Sequence, residues 1–339
     1  MNRFEKPFPQ RQLTIIYPQM ILPINWLSRG KLYDYLANIN DWIIARSIKA
    51  AIRKFKISEF VYINSYNPLC FQKFPKFFKP LRYIYQTVDN IEESKYVNKH
   101  GGYLERRAVE EADYTLVTSS ELLRKIQKVS ANAYLIPNAA EIQVFQKSVS
   151  SPAEKPKEIA HVHNRIIGYV GNLDFRLDYR LIKNIALNHP EKILLLVGPV
   201  NTDEINIMGI DVLENVLMTG SKKYSELPVY IKYMDCTIIP FKCNELTKSI
   251  YPLKINEYLA CGKPVVSTPF SEDIQGFASI IYLSENDRNF IESIDHAIAT
   301  DTEIKTKERM EFASQNNWQN RIDLFWEIYH SNTRFYGRR

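Results

Sequence analysis

Residues 249–268 combine a cation, a carboxylate and the start of a helix. Lys254 and Glu257 lie three apart, which puts them on one helix face near its first turn. Pro252 suits the first helical position, where its missing N–H would have had no partner. Gly262 suits a left-handed stop, and Pro264 prevents continuation. Val265, Val266, Ser267 and Thr268 then run as a short strand. A helix that starts in a loop beside a sheet turns free N–H groups and its positive dipole end toward whatever occupies that loop. Phosphate is the common occupant. A lysine for phosphate and a carboxylate for sugar hydroxyls would suit a nucleotide sugar. The same two residues also fit an ordinary surface pair, worth only ~0.2–0.5 kcal/mol.

Other residues could join them. Gly171 ends an apolar run, and its lack of Cβ would let a phosphate or sugar approach the backbone. Asn172 and Arg176 follow in the same loop, and Arg176 could hold a diphosphate through two guanidinium N–H groups. Arg176 reads equally well as an exposed surface cation. No Asp-x-Asp pair suggests a metal site, so a metal-independent reaction is expected, with helix dipole and cations in the role of a divalent ion.

Elements must position these groups. Alternating short apolar runs and helical stretches extend along the chain. In the first half, strands are expected at 13–17, 60–64, 83–88, 114–118 and 133–137. Helices are expected at 31–55, 102–112 and 120–128, the last with a cap at Ser120. Residues 145–164 are polar and read as an interdomain linker. Beyond it, strands are expected at 165–171, 192–197, 216–219, 237–240, 264–267 and 280–283, with helices at 179–188 and 224–234. Alternation of this kind predicts an α/β protein with parallel sheets covered by helices on both faces. Two such domains would face a cleft, with ligands at the carboxyl ends of the strands. The expected boundaries are 1–148 for an acceptor-side domain, 165–315 for a nucleotide-sugar domain, and 316–339 for a helix packing back toward the first.

Composition agrees with a two-domain globular chain. The 339 residues are 45% hydrophobic and 24% charged. No apolar run is long enough to span a bilayer, and the first ten residues lack the apolar core of a signal peptide. Cys70, Cys236, Cys243 and Cys261 show no zinc spacing and read as reduced cytosolic thiols. His161 and His163 read as solvated. Residues 1–150 carry 22 Lys+Arg against 13 Asp+Glu, a balance of +9, so the remainder of the +6 chain is slightly acidic. Residues 71–83 interleave cations with aromatics. They could rest on an anionic membrane surface, form a loop with core phenylalanines, or hold single-stranded nucleic acid. Nucleic acid is the least expected partner.

The motifs Asn244-Glu-Leu-Thr, Pro252-Leu-Lys, Glu257-Tyr-Leu-Ala and Gly262-Lys-Pro-Val resemble the donor-site segment of group 1, family 4-like glycosyltransferases with the GT-B fold. The teichuronic-acid and exopolysaccharide type is the nearest in look. Residues 168–178, 220–241, 136–139 and 317–326 resemble further family segments in the same order. The resemblance implies two Rossmann-like domains, the first lacking its initial strand, glycine-rich turn and helix. It implies Glu257 on the nucleotide ribose. It also implies Lys254, Arg176 and the backbone of Pro252, Leu253 and Lys254 on the diphosphate. Family members often carry a second Glu eight positions before Glu257; here that position is Ser249, so Thr247 and Ser249 would offer hydroxyls to the sugar instead. An Arg and a Lys usual in the first loop fall near Asn172 and Leu177. Residues 85–90 match a stretch that the family writes with acids at a strand tip. Asp89 is therefore the candidate to orient or deprotonate the acceptor hydroxyl, although a turn aspartate reads the same way.

The implied reaction is retaining transfer of a sugar from a nucleotide-diphosphate sugar to a hydroxyl of a lipid-linked surface glycan. No cofactor is expected beyond that co-substrate. The expected location is the cytoplasm, peripheral to the inner membrane face. The rivals are a nucleotide-sugar epimerase on the same scaffold and a degenerate, non-catalytic binding protein.

Overall fold

The computed structural model describes residues 3–8, 10–71, 74–93, 97–152 and 154–333. The chain divides into two units, Met1–Leu135 and Ile136–Arg339.

The first unit opens with β1 (Arg3–Glu5), β2 (Ile15–Tyr17) and α1 (Lys31–Phe55). Its main sheet contains β3 (Val61–Ser65), β4 (Arg82–Thr87), β5 (Tyr114–Val117) and β6 (Ala133–Leu135). These four strands are parallel and stand in sequence order. Helices α2 (Asn98–Glu111) and α3 (Ser120–Gln127) connect the last three. The apolar run at 13–17 does not join this sheet: β2 pairs antiparallel with β1 in a separate two-stranded ribbon. Its residues are only half-buried or exposed, so it lacks the two-sided burial of a parallel strand. The cap of α3 is Ser119, one residue before the expected Ser120; its hydroxyl accepts from the Leu122 amide.

The second unit contains α4 (Ile142–Ser150), β7 (Ile166–Val170), α5 (Tyr179–Asn188), β8 (Ile193–Val197), α6 (Glu204–Ile207) and β9 (Val216–Gly220). It continues with α7 (Leu227–Lys232), β10 (Cys236–Ile239), α8 (Glu245–Lys248), α9 (Leu253–Ala260), β11 (Val265–Ser267) and β12 (Tyr282–Leu283). Three helices follow: α10 (Asp287–Ala299), α11 (Glu303–Ser314) and α12 (Trp318–Thr333). The sheet is wholly parallel, in the order β12-β11-β10-β7-β8-β9. This is a doubly wound sheet whose order reverses between β7 and β10, the place where such folds bind ligands. β7 and β10 are buried along their whole length, as central parallel strands require.

The expected linker at 145–164 is instead part of this second unit. Phe145, Ile159 and Val162 are buried in its core. Glu158 accepts hydrogen bonds from Lys222 and from the Tyr230 hydroxyl, the latter at 2.9 Å. Three widely spaced apolar residues in a polar segment were enough to pin it down, because each fills a site in the core. The boundary accordingly falls before residue 136 and not near 148.

Candidate functional site

The loops after β7 and β10 meet at the reversal point. The Asp178 amide donates to the Pro240 carbonyl (2.8 Å) and the Lys242 amide to the Arg176 carbonyl (2.9 Å). Leu177 and Phe241 form an isolated bridge between the same loops. The β7 loop is tied on its other side by the Gly171 amide, which donates to the Val197 carbonyl at 2.8 Å.

Gly171 sits at φ +148°, a conformation that side-chain-bearing residues rarely adopt. A Cβ there would lie 2.1 Å from Lys254 Cε and 2.6 Å from its Nζ, so the lysine stem lies directly across the glycine. Gly198, also at φ +148°, supports this turn from behind: a Cβ there would lie 2.0 Å from the Gly171 carbonyl oxygen. Sequence reading missed Gly198, although the pattern Val-Gly-Pro after an apolar strand offered a signal.

Helix α9 brings Lys254 to this turn. Pro252 is its cap and not its first residue, so the helix begins one position later than expected, and no side chain caps it. Gly262 takes the left-handed stop at φ +70°. Tyr258, in the middle of α9, is fully buried. Its hydroxyl accepts from the Val170 amide (2.8 Å) and donates to the Val170 carbonyl (3.3 Å). The phenol thereby holds the helix to the last residue of β7, which sets the distance between Lys254 and Gly171. Tyr169, one residue earlier, lies beneath Lys254 with its ring centre 5.9 Å from Nζ. Its hydroxyl donates to the Asn172 carbonyl at 3.1 Å.

The electrostatics of the pair are unusual. Lys254 makes no hydrogen bond or ion pair among the described residues, and burial holds its pKa below the ordinary lysine value. Glu257 is 7% exposed. Burial raises its pKa to about 7, against the opposing pull of Lys254 and a hydrogen bond from Tyr224. A half-buried ammonium and a buried carboxyl one turn apart, with no ion pair between them, can take an anion and hydroxyl donors respectively.

The other expected residues fall into two groups. Gly171, Asn172, Pro252, Leu253, Lys254 and Glu257 line the β7 turn and the start of α9; Asn172 and Leu253 are exposed there. Arg176 lies in the same loop, but it is neither free nor a plain surface cation. Its Nε and Nη2 reach both oxygens of Asp174, at 2.9 and 2.6 Å. Burial would raise the Asp174 pKa, but the bonds and charge of Arg176 outweigh it and hold the carboxyl below its usual range. Asp174 was missed because an aspartate two residues from an arginine reads as ordinary loop polarity. Thr247 is also corrected. It is fully buried, and its hydroxyl donates to the Lys242 carbonyl while accepting from the Asn244 amide. It caps α8 together with Asn244 and does not offer a hydroxyl to a ligand. Ser249, at the end of α8, is buried.

Asp89 belongs to the first unit. It is exposed, just past the carboxyl end of β4. Its carbonyl accepts from the Thr87 hydroxyl at 3.3 Å. Its charge, after burial, helps to raise the pKa of Tyr66. In residues 71–83, the structure selects a mixture of the readings. Phe71 and Phe78 are buried, and with Phe74 they pack around Tyr62. Phe77 and the two cations beside the described rings, Lys76 and Lys79, face outward. The four cysteines are free. No helix among the described residues is long and apolar enough to cross a membrane.

Residues 164–300 match the family model of glycosyl transferases group 1. That segment carries β7, β10, α9 and every donor-side residue named above. It is a group 1 glycosyltransferase domain. A glycosyltransferase of teichuronic acid biosynthesis from Bacillus subtilis, TuaH, is 31% identical to the chain over 170 residues. That alignment covers 48% of this chain and 42% of the relative, so the match spans less than half the relative's length. Among solved structures, sucrose-phosphate synthase from Thermosynechococcus elongatus superposes with a TM-score of 0.66 at 16% identity, covering 97% of this chain and 85% of that one. An E. coli trehalose-6-phosphate structure bound with UDP-2-fluoro glucose gives 0.68 at 11% identity, over 90% and 79%. Anabaena HepE in complex with UDP gives 0.58 at 15%, over 74% and 72%. These likenesses establish the fold: each unit is a parallel α/β sheet of the kind found in GT-B glycosyltransferases.

Proposed function

We propose that this protein is a glycosyltransferase that moves a sugar from a nucleotide-diphosphate sugar to a hydroxyl of a lipid-linked surface glycan. The observation that carries this reading is the half-buried ammonium of Lys254, without an ion pair among the described residues, lying over the Gly171 turn at the start of α9. A diphosphate supplies the missing counter-charge, and the helix start adds its dipole. Glu257, one turn further along the helix, accepts hydrogen bonds from ribose hydroxyls. UDP in HepE and the UDP-sugar in the trehalose-6-phosphate structure are ligands of this chemistry.

Three groups then do the work during transfer. Lys254 and the α9 amides stabilise the negative charge that grows on the diphosphate as the glycosidic bond breaks. Arg176, held in place by Asp174, adds a cation at the loop edge. Asp89 orients the acceptor hydroxyl. The reaction retains configuration and runs without a metal, the cation and dipole serving where a divalent ion serves elsewhere. Teichuronic acid biosynthesis in the Bacillus relative supports an envelope polymer as the acceptor class.

A thermal-shift screen with nucleoside diphosphates and sugar nucleotides tests the donor assignment. One nucleotide should raise Tm, and Glu257→Ala and Lys254→Ala should each abolish most of that rise. An undiminished rise in both variants would remove the assignment. Transfer of labelled sugar to a lipid-linked glycan fraction, lost in Asp89→Asn with donor binding intact, tests the acceptor side.

A further inference from the structure

Helix α1 is 25 residues long and buries one face through Tyr33, Ala37 and Ala45, among others. The other face is bare. Tyr35 is 65% exposed and Trp42 58%. Positions 35, 42, 46, 49 and 53 form one stripe at helical spacing, and after the two rings it is occupied by Arg46, Lys49 and Arg53. The Arg46 guanidinium lies over the Trp42 ring at 4.6 Å. The Lys49 ammonium lies over Phe77 at 4.9 Å, which joins the stripe to the loop that turns Lys76 and Lys79 outward. A hollow of about 290 Å³ lies between helix and loop.

Two features distinguish this face from scattered surface aromatics. None of its cations makes an ion pair among the described residues, so none must be released before it meets an anion. One carboxylate, Asp41, lines the hollow, but it is buried and already accepts from the Phe71 amide at 2.7 Å. Asp34 lies in a separate hollow with Arg29, Arg106 and Arg107.

We propose that the α1 stripe and the Phe77 loop tip form a docking face for an anionic bilayer surface. The rings would sit at headgroup level and the lysines and arginines on lipid phosphates. A nucleic acid fits less well. It would use the ring faces as stacking platforms, but a cation already covers one face of Trp42 and of Phe77. The proposal deepens the functional reading, since its purpose rests on a lipid-linked acceptor; lipid binding itself requires no turnover.

Vesicle flotation of the full chain tests it. The protein should float with phosphatidylcholine vesicles that contain phosphatidylglycerol. It should remain below with phosphatidylcholine alone, and high salt should release it. Arg46→Glu combined with Lys49→Glu should weaken partitioning by at least roughly 25-fold, at about fivefold per basic residue removed from an anionic surface. Trp42→Ser with Phe77→Ser should weaken it too, and that loss should persist at high salt. Circular dichroism and the nucleotide thermal shift should match wild type in both double variants. Wild-type protein that does not float, or charge-reversed protein that floats equally well, would overturn the docking face and leave the donor-site reading intact. Binding of an oligonucleotide without binding of vesicles would assign the face to nucleic acid and likewise overturn the proposal.

Discussion

Lys254→Met should change binding and stability in opposite directions. Methionine keeps the length of the stem across Gly171 and removes only the charge. In the free protein that charge is a burden: burial lowers its pKa, and no partner lies within ion-pair distance among the described residues. A lysine with a depressed folded pKa makes the unfolded state the stronger proton binder, so its unfavourable contribution is full below the folded pKa and fades as pH rises from that value to the ordinary 10.5. Removing the charge should therefore hold or raise apo stability. A gain of about 1 kcal/mol would raise Tm by roughly 2–4 °C in a unit of this size. With ligand the sign reverses. A charge-assisted hydrogen bond to phosphate is worth about 1.5–3 kcal/mol, so nucleoside diphosphate affinity should fall roughly 10- to 150-fold. Calorimetric unfolding at pH 6 isolates the lysine, because Glu257 then keeps its proton in both proteins. Isothermal titration at pH 7.5 reads the affinity. A variant that loses several degrees, or that binds the nucleotide as tightly as wild type, would refute the reasoning and make Lys254 a structural cation.

Three further outcomes follow from the same geometry. Glu257, with its pKa raised to about 7, binds a proton in the folded state that the unfolded state has already lost above 4.5. Its contribution to stability is therefore present below about 4.5 and lost as pH rises through 7, a change of up to roughly 3 kcal/mol; Glu257→Gln should flatten that part of the denaturant-unfolding profile. If its carboxylate holds the ribose, nucleotide affinity should rise over the same pH interval and become flat in the glutamine variant. Tyr258→Phe leaves the buried Val170 N–H without an acceptor and should cost about 1–3 kcal/mol in urea unfolding; unchanged stability would show that α9 is held by packing alone. Gly198→Ala forces a Cβ against the Gly171 carbonyl, so it should lower both Tm and nucleotide affinity, and a variant as stable as wild type would contradict the close approach.

The architecture was legible because its signals are local and repeated. α1 and α5 begin and end where periodicity puts them, at Lys31–Phe55 and Tyr179–Asn188. The six strands of the second sheet were all found, since central parallel strands are continuous apolar runs. Glu257 and Lys254 were legible because a proline, a glycine and a three-residue spacing define one helix face. What escaped depends on partners distant in sequence or on orientation. Nothing local says that Phe145, Ile159 and Val162 reach the core across a polar stretch. Nothing in the type of Thr247 says that its hydroxyl turns inward to the Lys242 carbonyl. Asp174 and Arg176 are close in sequence, but only the folded loop shows that the arginine's charge is already shared. Gly198 matters through the backbone of Gly171, a contact between two strand ends that spacing does not reveal. The run at 13–17 has strand composition, yet its faces are not both covered, and it pairs with β1 instead.

The central claim is that an activated sugar is held by its diphosphate at the Gly171 turn. A crystal structure with a nucleoside diphosphate tests it most directly. The account predicts phosphate oxygens within hydrogen-bond distance of Lys254 Nζ and the first amides of α9, with ribose hydroxyls on the Glu257 carboxylate. A nucleotide bound elsewhere, with Lys254 still unpaired over Gly171, would contradict it.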